Sequence, residues 1–233
     1  MFLTQADRTP PPVVARLGGG LVVSVQAAQG SALRQPHTIA AIADDVLHAG
    51  AAGVRVNGTA DVHQVRALTS SPIIGLDKVR GERRNLITPS VEHVIALVDA
   101  GADIVALEAT TELHGRGPTP VAAARELGVA IMADVSTFDE GMRAWEDGAD
   151  LVGTTLSGYT PQSGPATDEP DIELVRRLAS AGVRVAAEGR YRTGEHIVAA
   201  MSAGAWTVVV GTAITDPAAI TSRLLSALPG GRS

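Results

Sequence analysis

Apolar residues along this chain come in short β-branched runs, and four of the runs share one preface. AGAAGVRV (49–56), AGADIVAL (100–107), DGADLVGT (147–154) and AGAWTVVV (203–210) each place a glycine behind a helical stretch, then a small residue, then a run rich in Val and Ile. Glycine tolerates the left-handed backbone that ends a helix. The run behind it is too short and too β-branched to continue one, so each repeat predicts a helix end followed by a buried parallel strand. The intervals leave room for a second strand and helix, and four further apolar runs fill them: Leu21–Gln26, Pro72–Asp77, Val129–Val135 and Val183–Glu188. Helical stretches follow, such as Val91–Ala100 behind the third strand and Asp171–Ala181 behind the sixth. Strict alternation of eight strands with helices predicts an α/β chain folded as a single-domain (β/α)8 barrel, the TIM barrel, over residues 19–228. A doubly wound open sheet is the competing arrangement. The even length of the units favours closure, and no G-x-G-x-x-G turn follows the first strand. Residues 1–18 are expected to form an arm or short helix across the barrel bottom, and 229–233 a frayed end.

Composition narrows the chemistry. The 233 residues are 45% hydrophobic but 3% aromatic, so the core must be aliphatic. A net charge of −6 and the lack of a long basic run speak against a nucleic-acid partner. No stretch approaches the ~18 apolar residues of a membrane helix, and no signal-like run opens the chain; no membrane partner and a cytoplasmic location are expected. The absence of cysteine excludes thiolate nucleophiles, disulfides and Cys-ligated zinc. All but one of the 19 basic side chains are arginines, and the exception is Lys78. Arginine keeps its proton at working pH, whereas lysine loses it when its surroundings depress its pKa.

Barrels of this type carry their chemistry at the carboxyl ends of the strands. Here those ends carry Ser24 and Gln26, Arg55 and Asn57, Asp77 and Lys78, Glu108 and Thr110, Asp134 and Ser136, Thr154, Thr155 and Ser157, Glu188 and Arg190, and Gly211 and Thr212. Strand ends are semi-exposed and polar residues are common there. Yet charged groups at the ends of such apolar runs are costly to bury without partners, which favours a ring converging on one mouth. Asp77 could neutralise Lys78 or point away. Gly189 and the Gly211-Thr212 pair lie on the seventh and eighth loops, where many barrels bind phosphate through backbone N–H groups. Of the six histidines, His37, His48, His63, His93 and His196 fall on helices or helix edges and His114 in a loop. None ends a strand, so no metal site is expected.

Several stretches carry a resemblance: LVVSVQA (21–27), GVRVNG (53–58), IIGLDK (73–78), ITPS (87–90), AGADIVALEAT (100–110), MADVSTFDEG (132–141), GTTLSGYTP (153–161), AAEGR (186–190) and VVVGTAIT (208–215). Together they make the chain, from Gly20 to Leu228, resemble the bacterial N-acetylmannosamine-6-phosphate 2-epimerases. The resemblance implies conversion of N-acetylmannosamine 6-phosphate to N-acetylglucosamine 6-phosphate, with an amino-sugar phosphate as partner and neither metal nor other cofactor. It implies Lys78 and Glu188 as the catalytic pair. Gln26, Arg55 and Asp134 become substrate contacts, and Gly189, Gly211 and Thr212 phosphate contacts. The chain departs from the family pattern at Val25 (often Cys), at Glu108 (usually Asp), in the loop 111–116, which lacks an Arg-Pro-Arg run, and at Asp216 (commonly Arg). An acid at 216 pointing inward would repel a phosphate dianion; Arg80, Arg190 or Arg192 could supply the missing charge. A homodimer is possible, being common among such barrels. Two rival readings stay open: a phosphate-binding lyase or cyclase forming an imine at Lys78, and a sugar-phosphate sensor without turnover.

Overall fold

The computed structural model describes residues 8–115, 119–165 and 167–229. Its strands are β1 (Leu21–Val25), β2 (Gly53–Asn57), β3 (Ile73–Leu76), β4 (Lys78–Arg80), β5 (Asn85–Ile87), β6 (Ile104–Glu108), β7 (Ala130–Asp134), β8 (Leu151–Gly153), β9 (Val185–Glu188) and β10 (Thr207–Val210). Eight of them close a parallel barrel in the order β1-β2-β3-β6-β7-β8-β9-β10, and β10 returns to β1. The other two, β4 and β5, form an antiparallel hairpin between β3 and the helix that follows it. The (β/α)8 barrel expected from the alternation is therefore the fold; the hairpin was not expected.

The helices are α1 (Pro12–Ala15), α2 (Pro36–His48), α3 (Thr59–Arg66), α4 (Val91–Asp99), α5 (Thr111–His114), α6 (Val121–Arg125), α7 (Phe138–Glu146), α8 (Ile172–Ser180), α9 (Gly194–Ser202), α10 (Thr212–Thr215) and α11 (Pro217–Ser226). The repeated glycines end helices as their pattern implies: Gly50, Gly101, Gly148 and Gly204 have φ of 103°, 103°, 105° and 96°, a region costly for any residue with a Cβ. The repeat has a second use. Asp103 and Asp150, just ahead of β6 and β8, accept the amides of Ile73 (2.9 Å) and Ile131 (3.0 Å) at the starts of the neighbouring strands. Each carboxylate thus fixes the register at the bottom of its strand pair.

Two apolar layers hold the barrel. Val22, Ile74, Ile104, Met132, Leu151 and Val209 fill its interior, while Val23, Val54, Val56, Val105, Ile131 and Val152 face the helices outside. Alternate residues of a strand serve alternate layers, and each fully buried aliphatic side chain contributes about 1.5–3 kcal/mol. The expected N-terminal piece is, in its described part, the short helix α1, whose Val14 joins Leu17 in the interior cluster. Trp206, directly ahead of β10, donates its indole N–H to the Val14 carbonyl (3.0 Å). The bottom is therefore plugged, and the opposite end is left for chemistry. Residues 1–7 and 230–233, which cover most of the expected frayed end, lie outside the described residues. Among the described residues no helix is long and apolar enough to cross a membrane.

Candidate active site

A cavity of about 660 Å³ opens at the carboxyl ends of the strands. Its floor is built around Arg55, a guanidinium 2% exposed in the middle of β2. Such a charge survives burial only when paired and hydrogen-bonded, and two strands across the barrel supply acids. Asp134, the last residue of β7, takes Nη2 on Oδ2 at 2.5 Å, and Glu188, the last residue of β9, takes Nη1 on Oε1. Strand β8 lies between β7 and β9. Thr155, two residues past its end, consequently reaches both acids: its Oγ is 2.5 Å from Asp134 Oδ1 and 3.2 Å from Glu188 Oε2. Thr154 holds the main chain of the same glutamate, donating to its carbonyl (2.9 Å) and accepting its N–H (3.1 Å). Gly153 leaves the space these groups occupy, since a Cβ there would stand 2.7 Å from Asp134 Oδ1 and 3.0 Å from Thr155 Oγ.

Charge balance follows from burial. Loss of water pushes the Asp134 carboxyl up to about 7; Arg55 and the Thr155 hydroxyl oppose the rise, and Glu188 and Glu108 add to it. Burial works against the Arg55 charge as well, but Asp134 and Glu188 outweigh it and raise its pKa.

Lys78 arrives differently from its sequence reading. Strand β3 stops at Leu76, and Lys78 opens the hairpin, paired with Ile87 and donating its N–H to Asn57 Oδ1 at 2.8 Å. Its side chain is exposed at the mouth and lines the same cavity as Glu188. The protein crowding its inner side lowers its pKa, and Arg55 lowers it further, while Glu188 and Asp134 pull the other way. Asp77 points away, its carboxylate 3.7 Å from His93 on α4.

Gln26, Arg55, Gly189, Arg190, Gly211 and Thr212 also line the cavity. Gln26 donates to Ser24 Oγ (2.7 Å) and leaves its buried Oε1 without a protein partner among the described residues. Gly189 (φ 107°) and Arg190 (φ 65°) make the turn after β9. The Arg190 guanidinium is anchored on the carbonyls of Ser157 and Glu169, both 2.8 Å away, and stacks 5.5 Å over Tyr159. Gly211 caps the short helix α10 and lies against Ser24, whose Cβ would be 3.2 Å from an added Cβ. Asp134 is the exception. Fully buried, it lies beneath the wall, bonded to Arg55 and Thr155, which line it. Arg192 lines the cavity and Arg80 does not.

The model of the family NanE, described as "Putative N-acetylmannosamine-6-phosphate epimerase", matches residues 39–229. The chain belongs to the NanE family. Two curated relatives, from Cutibacterium acnes and Klebsiella pneumoniae subsp. pneumoniae, are both named "Putative N-acetylmannosamine-6-phosphate 2-epimerase". The first is 44% identical over 223 residues, 93% of this chain and 96% of its own length; the second is 44% identical over 204 residues, 84% of each. The solved structure of the N-acetylmannosamine-6-phosphate 2-epimerase from Clostridium perfringens superposes with a TM-score of 0.85 at 33% identity, covering 95% of this chain and 98% of that one. A thiamine phosphate pyrophosphorylase from Pyrococcus furiosus, at 17% identity and a TM-score of 0.60, shares the fold alone.

The departures from the NanE pattern now have structural settings. Asp216 lines the cavity and accepts the Ala219 N–H (3.0 Å), capping α11, so its negative charge stands beside the Gly211-Thr212 turn. Glu108 is fully buried and receives both terminal nitrogens of Arg84 (2.9 and 2.5 Å), the Thr110 hydroxyl (2.5 Å) and the Ile87 N–H (3.2 Å). The region 111–116 begins as α5, capped by Thr110, and His114 therefore belongs to a short helix rather than a loop; residue 116 lies outside the described residues. Sequence reasoning overlooked Arg84. The available signal was the basic turn Arg80–Arg84, close along the chain to Lys78, together with Glu108, an acid at the end of an apolar strand in need of a partner.

Proposed function

We propose that this chain interconverts N-acetylmannosamine 6-phosphate and N-acetylglucosamine 6-phosphate by moving one proton at C2. The names of its NanE relatives support the substrate. The observation that carries the mechanism is an amine of lowered pKa, Lys78, and a carboxyl, Glu188, on the wall of one cavity over a buried guanidinium.

In the open-chain sugar, C1 is an aldehyde and acidifies the C2 hydrogen. A neutral Lys78 amine removes that hydrogen and becomes an ammonium. The electron pair passes to O1 as an enolate, which the adjacent cations stabilise electrostatically. Glu188 then gives a proton to the other face of C2, and the centre is inverted. In the reverse direction Glu188 is the base and Lys78 the acid. The lowered pKa of Lys78 serves this role because a base must be uncharged for part of the time at working pH. Gly189, Arg190, Gly211 and Thr212 would receive the phosphate, Gln26 the sugar's polar groups, and Arg55 the enolate side. Asp134 supports Arg55 from beneath. The reading needs no metal or nucleotide. It sets the reaction in the cytoplasm, where a phosphorylated sugar is retained, and it takes a second copy of this chain as the protein's partner.

Proton NMR of the sugar in deuterated buffer tests the assignment. The protein is expected to exchange the C2 hydrogen for deuterium while the two epimers equilibrate, and Lys78→Met to abolish both. Exchange that survives Lys78→Met would remove the base from the mechanism. A borohydride-trapped adduct at Lys78 would favour the lyase or cyclase reading, and binding without exchange the sensor.

A further inference from the structure

Among the described residues two side chains bridge Asp134 and Glu188: Arg55 by its guanidinium and Thr155 by its hydroxyl. They differ in what they can carry. A guanidinium donates hydrogen bonds but does not give up its proton, whereas a hydroxyl donates and accepts at once. Two ionised carboxylates on one guanidinium would leave a net negative charge in a site screened from water, and burial favours a pair that keeps one proton. The acids are unequal in access. Glu188 is 13% exposed on the cavity wall, and Asp134 is fully buried beneath it. Thr155 itself lines the cavity, so a proton that reaches or leaves Asp134 from that side passes the Thr155 hydroxyl, with Glu188 Oε2 3.2 Å from the same oxygen.

We infer that Thr155 passes a single proton between Asp134 and Glu188, so that Asp134 stores it whenever Glu188 must act as base. This use in turnover rests on the epimerase reading. The step is balanced. The Thr155 O–H bond breaks as its proton goes to one carboxylate oxygen, and a new O–H bond forms with the proton released by the other carboxyl. The pair's charge is unchanged, and Glu188 alternates between acid and base without waiting for solvent. The charged groups facing the pair are Arg55 from β2, Glu108 from the neighbouring β6 and Lys78 from β4.

The test compares the wild-type protein with Thr155→Val, which loses the hydroxyl, and Thr155→Ser, which keeps it. First, exchange of the Asp134 proton is followed without substrate through the 13C line shape of its carboxyl carbon around pH 7. Exchange is expected to be fast in the wild type and in Thr155→Ser, and at least about tenfold slower in Thr155→Val, whose side chain carries no exchangeable proton. Slow exchange in the wild type, or Thr155→Val exchange as fast as the wild type's, would overturn the inference whatever the protein catalyses. Second, in the epimerisation assay Thr155→Val is expected to lower kcat at least about tenfold with KM held within roughly twofold. Its pH–rate limb near neutrality should move by about one pH unit or more, and Thr155→Ser should restore the limb. A rate lowered equally at every pH would assign Thr155 a packing role only. A wild-type protein inactive on the sugar phosphate would sink the proposed function, and the Asp134 exchange measurement would still decide the proton transfer. Should Thr155→Val fail to fold, Thr155→Ala, smaller and also without a hydroxyl, carries the same comparison.

Discussion

At Lys78 two opposing influences meet on one ammonium. Crowding by the protein and the Arg55 charge favour the neutral amine, while Glu188 and Asp134 favour the cation, and the first pair prevails. Because Lys78 is the chain's one lysine, reductive methylation with 13C-formaldehyde should give a single lysine signal beside that of the amino terminus. Its titration midpoint is expected below the ordinary lysine value, and the methylated protein should be inactive. With N-acetylmannosamine 6-phosphate as substrate, the epimerisation rate should climb with pH as the amine loses its proton and fall once Glu188 no longer holds the proton it must give, so the profile is bell-shaped. A midpoint at or above the ordinary value would remove the reason for having lysine there. Lys78, Glu188, Arg55 and the glycines of the last two loops were legible in the sequence because charged or small residues stand out at the ends of apolar runs. Burial depth was not. The period of a strand tells which residues face inward but not how deep each one ends, so the full burial of Asp134 beneath the cavity wall could not be read from it. Nor could Thr155 be told from Thr154, although one holds side chains and the other main chain.

At the scale of elements, helix ends were the most readable feature, because the positive φ at Gly50, Gly101, Gly148 and Gly204 leaves few alternatives to glycine. The hairpin β4–β5 was the least readable. Its strands have three residues each, too few for alternation to register. What holds it is an ionic clamp: Arg84 bonds Glu108 through two nitrogens and Glu112 through Nε and Nη2 (3.0 and 2.8 Å), and Arg83 pairs with Glu112 as well. Thr88, left-handed at φ 46°, returns the chain by bonding Asp77 through both its N–H (2.7 Å) and its hydroxyl (3.0 Å). The clamp therefore bears on the strand that starts with Lys78. Removing one partner of a buried ion pair strands the other, at a cost of about 3–5 kcal/mol. Arg84→Ala is expected to lose stability on that scale in urea unfolding, and Arg84→Ala with Glu108→Gln to regain part of it, because the stranded charge is gone. Lysine at 84 should rescue incompletely, lacking the planar fork that engages both oxygens. Unfolding of Arg84→Ala at the wild-type urea concentration would show the clamp to be dispensable.

For the whole molecule, alternation of strand and helix was enough to reach the barrel, since closure of eight parallel strands with helices outside is what buries both faces of every strand. The sequence did not reveal how the ring of helices finishes. Most of the longer helices send side chains into the outer core, whereas α11 has no buried residue at all, and Leu224, Leu225 and the following Leu228 are 65%, 53% and 58% exposed. A helix of this kind gains little from its own barrel, and in water it should be covered. A second copy of the chain offers the simplest cover: a two-fold interface uses the same patch on both subunits, so one set of exposed leucines meets another. The protein is then expected to sediment as a dimer at micromolar concentration. Leu224→Glu with Leu225→Glu, which places charges where apolar contact is needed, should shift it to monomer and lower its melting temperature, while the cavity between Lys78 and Glu188 stays formed. A wild-type protein that sediments as a monomer across that range would leave α11 to some other cover, and the homodimer would have to be given up.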